Sequence, residues 1–368
     1  MNNKKILFII YDLERGGPEL RLLDLSKHFP EDLKIYICVT SENLSLIKNF
    51  RETNVNIKIV PIEKIYLEFK KIKSIYQNVK DNNISVINSF DLKALIISII
   101  IKIFNMRQIK LVYHDVNSFK CFHWRHKILF WILFKFVDEC LSNSEFLKTE
   151  IKKKYIAEKK IKVINNGIDT SLFKRNKCVN KQVRAKLNIQ NNEIVIGTIA
   201  NFRRQKNYPF LIDAFYTLLK KFKSLKLLCV GGGASLEDVK EIVRNKGLTE
   251  KVIFTGYSEE VVSCLNVMDI FVLCSTYEGS PNVILQAMSA GVPVISSSVG
   301  GCPELIENLK TGILFTPNNK KEFINAVSKL IENKGLALEM VHQAKRHVNE
   351  KFSLKNLVNN YANFYRQL

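Results

Sequence analysis

FVLCSTYEGSPNVILQAMSAGVPVISSSVGG, from Phe271 to Gly301, is the stretch whose reading decides the fold. Phe271-Val272-Leu273-Cys274 is a short apolar run, the pattern of a strand buried on both faces. Ser275 to Ser280 makes a polar loop at its carboxyl end. Pro281 suits the first turn of a helix, where the missing N–H costs nothing. Gly291 stops that helix, and Val292-Pro293-Val294-Ile295 begins the next strand. Ligands of open α/β sheets bind in the crevice outside the carboxyl ends of the strands. Glu278 therefore projects from a ligand-facing loop. The free N–H groups and positive dipole end of the following helix favour an anion such as a phosphate in the same place.

Outward from this unit, apolar strands alternate with helices along the whole chain. The first half shows strands at Ile6–Tyr11, Ile35–Thr40, Ile57–Val60, Ser85–Asn88 and Leu111–His114, with helices at Pro18–His28 and Leu92–Phe104 between them. The second half restarts at Ile194–Ala200 and runs through Leu225–Val230, Val252–Thr255, Ile270–Cys274 and Val292–Ser296. Such alternation predicts parallel sheets layered with helices on both faces. The polar, strand-poor segment Asp169–Asn192 between the halves is the expected linker.

Composition agrees. The 368 residues suffice for two domains with a core each. Lys4-Lys5 precede an apolar run, but Asp12, Glu14 and Arg15 follow at once, so the run reads as a first buried strand rather than a secretory signal. None of the eight cysteines is paired at metal-ligand spacing, and several lie in apolar runs, which points to buried thiols in a reducing cytoplasm. The net charge of +21 is spread over both halves and calls for anionic partners. A nucleic-acid partner is not expected, because no nucleic-acid-binding motif accompanies the charge.

The stretch from Glu278 to Gly301 resembles the donor-site signature of retaining glycosyltransferases of family 4 (glycosyl transferases group 1). That signature has two glutamates separated by seven residues, in a frame like EGxPNxxxEAMxxGxPV. Glu278 holds the first position, followed by Gly279, Ser280, Pro281 and Asn282; the second is Gln286, which keeps hydrogen-bonding capacity without charge. The resemblance extends along nearly the whole chain. Gly16-Gly17 after the first strand match the family's glycine loop, and Gly231-Gly232-Gly233 its later glycine turn. His114-Asp115 match a strand end of the first domain, and Val163 to Phe173 match vIxNGiDxxxF. Gly300, Gly301 and Glu304 match GGxxE.

The resemblance implies an α/β GT-B fold: two Rossmann-like, doubly wound parallel-sheet domains facing a central cleft, with the C-terminal helix crossing back to the first domain. It implies an acceptor-side domain over 1–172, a donor-binding domain over 173–350 and a returning helix over 351–368. Glu278 would hold donor sugar hydroxyls, Gln286 the ribose, and His114 the sugar from the first domain. Lys206 matches the family's diphosphate-binding lysine. The arginine position five residues earlier is Asn201, leaving Arg203, ahead of Arg204, to supply the lost charge. Cations belong there because a nucleoside diphosphate leaves with developing negative charge. The glycine loops, Ser280, Pro281 and Asn282 would line the donor. No cofactor and no metal are expected, because protein cations and helix ends do the neutralising and there is no Asp-x-Asp pair.

The implied activity is transfer of a hexose-type sugar from a nucleoside-diphosphate sugar to a glycan or lipid-linked acceptor, with retention, in cell-surface polysaccharide or glycolipid synthesis. A non-catalytic nucleotide-binding partner protein of the same fold is the alternative, raised by Asn201 and Gln286. Residues 119–136, FKCFHWRHKILFWILFKF, mix Lys120, Arg125, Lys127 and Lys135 with two tryptophans and no acid. Such a stretch suits an anionic bilayer surface, and places the protein in the cytoplasm, peripheral on the inner face of the plasma membrane.

Overall fold

A computed structural model describes residues 4–14, 16–105, 109–115, 124–155, 161–258 and 260–368. The chain divides into two compact units, Met1–Asn166 with Lys355–Leu368, and Gly167–Leu354.

The first unit runs β1 (Lys4–Ile10), α1 (Gly17–His28), β2 (Leu33–Val39), α2 (Ile47–Arg51), β3 (Asn56–Ile59), α3 (Phe69–Asp81) and β4 (Val86–Ser89). It continues with α4 (Leu92–Phe104), β5 (Lys110–Asp115), α5 (Trp124–Phe134), β6 (Glu139–Ser142), α6 (Glu145–Tyr155) and β7 (Ile161–Val163). The seven strands form one parallel sheet in the order β3-β2-β1-β4-β5-β6-β7. Successive side chains of β1 serve opposite faces, as strand geometry requires. Leu7 and Ile9 join the core beneath α3, α4 and α5. Phe8 meets the ring of Tyr365 edge-on at 5.9 Å.

The second unit contains α7 (Lys177–Lys186), β8 (Ile194–Ile199), α8 (Tyr208–Lys221), β9 (Leu225–Val230), α9 (Leu236–Asn245), β10 (Val252–Gly256) and α10 (Val261–Val267). Then come β11 (Ile270–Leu273), α11 (Asn282–Ser289), β12 (Val294–Ser297), α12 (Cys302–Leu305), β13 (Ile313–Phe315), α13 (Lys320–Glu332) and α14 (Lys334–Lys351). Its parallel sheet has the order β10-β9-β8-β11-β12-β13, with an apolar core on each face. The final helix, α15 (Leu354–Gln367), returns to the first unit, where Arg366 forms a two-pronged pair with Asp32 at 2.8 Å.

Residues 169–192, read from the sequence as a linker, lie inside the second unit instead. Asn176 caps α7 by accepting from the N–H groups of Cys178 and Val179, and Arg184 of the same helix pairs with Asp269 at 3.0 Å. Capping and an ion pair make a docked helix of a segment that lacks strand residues. The seven described cysteines are all free thiols, and all but Cys178 are buried.

Candidate active site

The second sheet reverses its winding between β8 and β11: β8 leads outward to β9 and β10, β11 to β12 and β13. The loops leaving the carboxyl ends of these neighbouring strands flank the crevice where α/β sheets bind ligands. The β8 loop carries Asn201, Arg203, Arg204 and Lys206, and the β11 loop carries Ser275 to Pro281. They are tied together by Thr276 N–H donating to Gln205 C=O at 2.8 Å.

Lys206 ends a short 3₁₀ turn, Arg204–Lys206, after which Asn207 takes a left-handed conformation (φ 54°) and α8 begins. This geometry sends the Lys206 ammonium to Glu278, with Nζ 2.5 Å from Oε1. Ser275 Oγ donates to the same oxygen, also at 2.5 Å. Glu278 is 7% exposed, so its charge is met by protein groups rather than by water. Oε2 makes no hydrogen bond with the described residues and is the oxygen left for a ligand hydroxyl. Arg203 and Arg204 are exposed beside the pair, and neither has an ion-pair partner among the described residues.

The loop after β12 clamps Glu278 from its backbone side. Gly301 N–H donates to Glu278 C=O at 3.4 Å. Gly300 has φ 54°, and a Cβ on it would lie 1.7 Å from that carbonyl oxygen. Only glycine fits such a conformation and such an approach. Pro281 precedes α11, whose N-terminus has no side-chain cap. Asn282 opens the helix, and its Oδ1 is buried with no hydrogen-bond partner among the described residues. The helix start thus offers orphan N–H groups and its positive dipole end at the mouth of the crevice. Gln286 stands half-buried one turn further along, and Glu304 is half-buried in α12. The Gly231 to Gly233 turn packs against the β8 loop: a Cβ on Gly231 would lie 2.2 Å from Ala200 C=O, and Phe202 N–H donates to Gly232 C=O at 2.8 Å. Its glycines therefore serve loop-on-loop packing. Asn201, at the family's arginine position, accepts from the Tyr257 hydroxyl at 3.0 Å.

In the first unit, Gly16 and Gly17 open α1 with no side-chain cap, and the Glu19 carboxylate lies over Gly16. Burial, then the neighbouring Asp12 and Glu14 charges, push the Glu19 carboxyl up to about 7 against the pull of its own backbone N–H and Arg21. His114 closes β5. The sequence puts this ring beside the donor sugar; the structure buries it completely, with Nε2 2.9 Å from a guanidinium nitrogen of Arg21. Arg21 donates its other terminal nitrogen to Asn166 Oδ1, and Tyr361 of α15 brings its hydroxyl to 3.2 Å from the same imidazole nitrogen. Burial first and the guanidinium second hold His114 well below its ordinary range, so the ring is neutral. A sugar contact through His114 requires these bonds to be exchanged.

Sequence reading missed Ser275, Arg21 and Tyr361. Ser275 carried a signal, being the first loop residue after an apolar strand. Arg21 is the one charged residue on the buried face of α1 beside Leu22 and Leu25. Tyr361 had none, since it arrives from the far end of the chain. Among the described residues no group of three or more His, Cys, Asp or Glu is arranged to hold a metal.

Residues 15–172 match the model of Glycosyltransferase Family 4, and residues 179–347 match that of Glycosyl transferases group 1. A UDP-Gal:alpha-D-GlcNAc-diphosphoundecaprenol alpha-1,3-galactosyltransferase of Escherichia coli is 25% identical over 311 residues, covering 81% of this chain and 79% of that one. An N-acetyl-alpha-D-glucosaminyl L-malate synthase of Bacillus anthracis is 30% identical over 208 residues, 56% of this chain and 54% of that one. The chain spans about half the length of the curated relatives it matches at that identity (54% of each). The crystal structure of Anabaena HepE in complex with UDP-glucose superposes with a TM-score of 0.87 at 22% identity, covering 99% of this chain and all of the other. With two family models spanning both halves and this fold, the chain belongs to the glycosyl transferases of group 1, with the GT-B fold.

Proposed function

We propose that the protein transfers a hexose-type sugar from a nucleoside-diphosphate sugar to a glycan or lipid-linked acceptor, with retention of anomeric configuration, in cell-surface polysaccharide or glycolipid synthesis. The observation that carries this reading is the Lys206–Glu278–Ser275 cluster beside the uncapped start of α11. A carboxylate for sugar hydroxyls, cations for phosphates and open backbone N–H groups are what a nucleotide sugar needs, within one crevice. Glu278 Oε2 holds donor hydroxyls, and Lys206 turns to the diphosphate with Arg203 or Arg204. Gln286 takes the ribose, while Ser280, Gly300 and Gly301 line the phosphates. Gly16, Gly17 and His114 are the residues of the first unit that this reading assigns to donor contacts. Protein groups are sufficient to neutralise the leaving diphosphate, so the reading assigns no metal. The similarity to a galactosyltransferase named for a diphosphoundecaprenol acceptor supports a lipid-linked acceptor.

The reading includes docking on the anionic inner leaflet through residues 119–136. Residues 119–123, Lys120 among them, lie outside the described residues, as do the side chains of Trp124, Arg125 and Lys127. In the described part of α5, Ile128, Leu129, Trp131 and Ile132 are exposed, and Lys135 lies over the Trp131 ring at 4.1 Å. No described helix is long and apolar enough to cross a membrane.

Calorimetric titration with UDP-sugars and GDP-sugars tests the donor reading. Binding of one class, weakened by Glu278→Ala for the sugar nucleotide but not for the bare nucleotide, supports it. Absence of binding to either class sinks it, and binding without turnover returns the non-catalytic alternative.

A further inference from the structure

Exposed apolar side chains are unevenly placed on this protein. Of the seventeen large hydrophobic residues exposed among the described ones, nine lie in or beside α3, α4 and α5 of the first unit. Tyr66, Leu67 and Phe69 lead into α3, Ile103 and Phe104 end α4, and the other four are those of α5. The three helices lie on one face of the sheet, and α4 packs between α3 and α5. Scattered single hydrophobics need no explanation, but a contiguous patch marks an interaction surface.

A groove runs along the α3–α4 seam within this patch. It holds about 270 Å³ and is lined by Phe69, Ile72, Tyr76, Ile100 and Phe104, with Lys73 alone bringing charge. The Tyr76 and Phe104 rings stand 6.1 Å apart across it, and Phe69 and Phe104 are each 65% exposed. Water gains few hydrogen bonds in such a groove, whereas a hydrocarbon replaces it without loss.

Charge selects the occupant. α3 carries Lys70, Lys71, Lys73 and Lys80 against Asp81, with Glu68 at its N-terminus pairing Lys71 at 2.9 Å, and α4 and α5 carry no acid. A second copy of this chain would bring lysine onto lysine, on a protein of net charge +21. A bilayer with anionic headgroups satisfies both features, headgroups meeting the lysines and acyl chains the apolar floor. We infer that the α3–α4 groove seats an acyl chain of an anionic bilayer phospholipid. The membrane-facing surface then extends from α5 across α4 to α3. This rests on the membrane docking proposed above and adds a specific chain-binding slot to it.

Flotation with vesicles of phosphatidylcholine, with and without phosphatidylglycerol, tests the slot. Phe69→Ser with Phe104→Ser alters exposed residues and leaves the fold intact, as circular dichroism checks. It is expected to weaken binding to the anionic vesicles about tenfold or more. A second readout uses Tyr76→Trp in a Trp124→Phe, Trp131→Phe background. Its fluorescence is expected to be quenched by phospholipids brominated on the acyl chain. Unchanged affinity of the serine variant, or binding without quenching, overturns the slot while leaving docking through α5 standing. Failure of the unaltered protein to float with anionic vesicles overturns both. Self-association lost in the serine variant would assign the groove to a second copy and overturn the lipid.

Discussion

Lys206 and Glu278 hold each other: the ammonium nitrogen lies 2.5 Å from Oε1, with the two side chains 16% and 8% exposed. They come from loops of adjacent strands, and each is assigned to a different part of the donor. The two loops thus hold their charges as an internal pair, and on the proposed reading an arriving diphosphate draws Lys206 away from the carboxylate. Removing one member strands the other in a poorly hydrated place.

Lys206→Ala and Glu278→Ala are therefore each expected to lower the stability of the second unit, by at most roughly 3–5 kcal/mol. The double variant Lys206→Ala with Glu278→Ala should lose clearly less than the sum of the two. Urea unfolding of the four proteins measures this, and strict additivity would contradict the pairing.

Ser275→Ala removes one hydrogen bond to the carboxylate and leaves the ion pair. Turnover is expected to fall roughly tenfold, with little change in affinity for the bare nucleotide. A steady-state comparison of kcat with nucleotide Kd decides it. Equal losses in both would mean that Ser275 supports the whole loop rather than the orientation of Glu278.

Gly300→Ala places a Cβ where the Glu278 carbonyl oxygen already sits, on a backbone with φ 54°. The clamp must open, at a cost of roughly 1–3 kcal/mol for the strained conformation alone. A lower melting temperature together with weakened donor binding is the expected result. Normal values for both would show that the two loops move apart freely.

Two groups of the first unit respond to pH with opposite sign. His114 is depressed well below the ordinary histidine value of 6.5 by burial, so the unfolded chain takes up a proton that the folded ring refuses. Its contribution is complete above 6.5 and is lost as pH falls below that value. Glu19 is raised from 4.5 to about 7, so its contribution is present below 4.5 and is lost as pH rises through about 7. Melting temperatures of Glu19→Gln against the unaltered protein should therefore diverge in favour of the variant at pH 8 and converge at pH 4.5. His114→Gln should flatten the decline between pH 6.5 and pH 5. His347 of the second unit, also lowered by burial, keeps a residual slope there.

Strand–helix alternation and the loop chemistry around Glu278 were legible because they are local. Period, apolar runs, Pro281 and Gly291 act within a few residues of themselves, and the expected β11–α11–β12 unit stands where it was read. The span 169–192 was misread because strand residues are absent there, and nothing in sequence says that a capped helix has a docking partner. His114 was found as a residue at a strand end, but its surroundings were not. Arg21, Asn166 and Tyr361 reach it from three other parts of the chain.

The sequence alone determined the fold class, the ligand-bearing ends of the strands and the residues offered there, because backbone propensity and side-chain period are properties of short segments. Which of those residues touch was decided only by the tertiary structure. The register of β8 beside β11 puts Lys206 on Glu278, and the return of α15 puts Tyr361 on His114. The packing of α3 against α4 makes a groove out of side chains that the sequence lists as separate surface hydrophobics. Contacts across long chain separations depend on how layers pack, and no window of sequence contains that information.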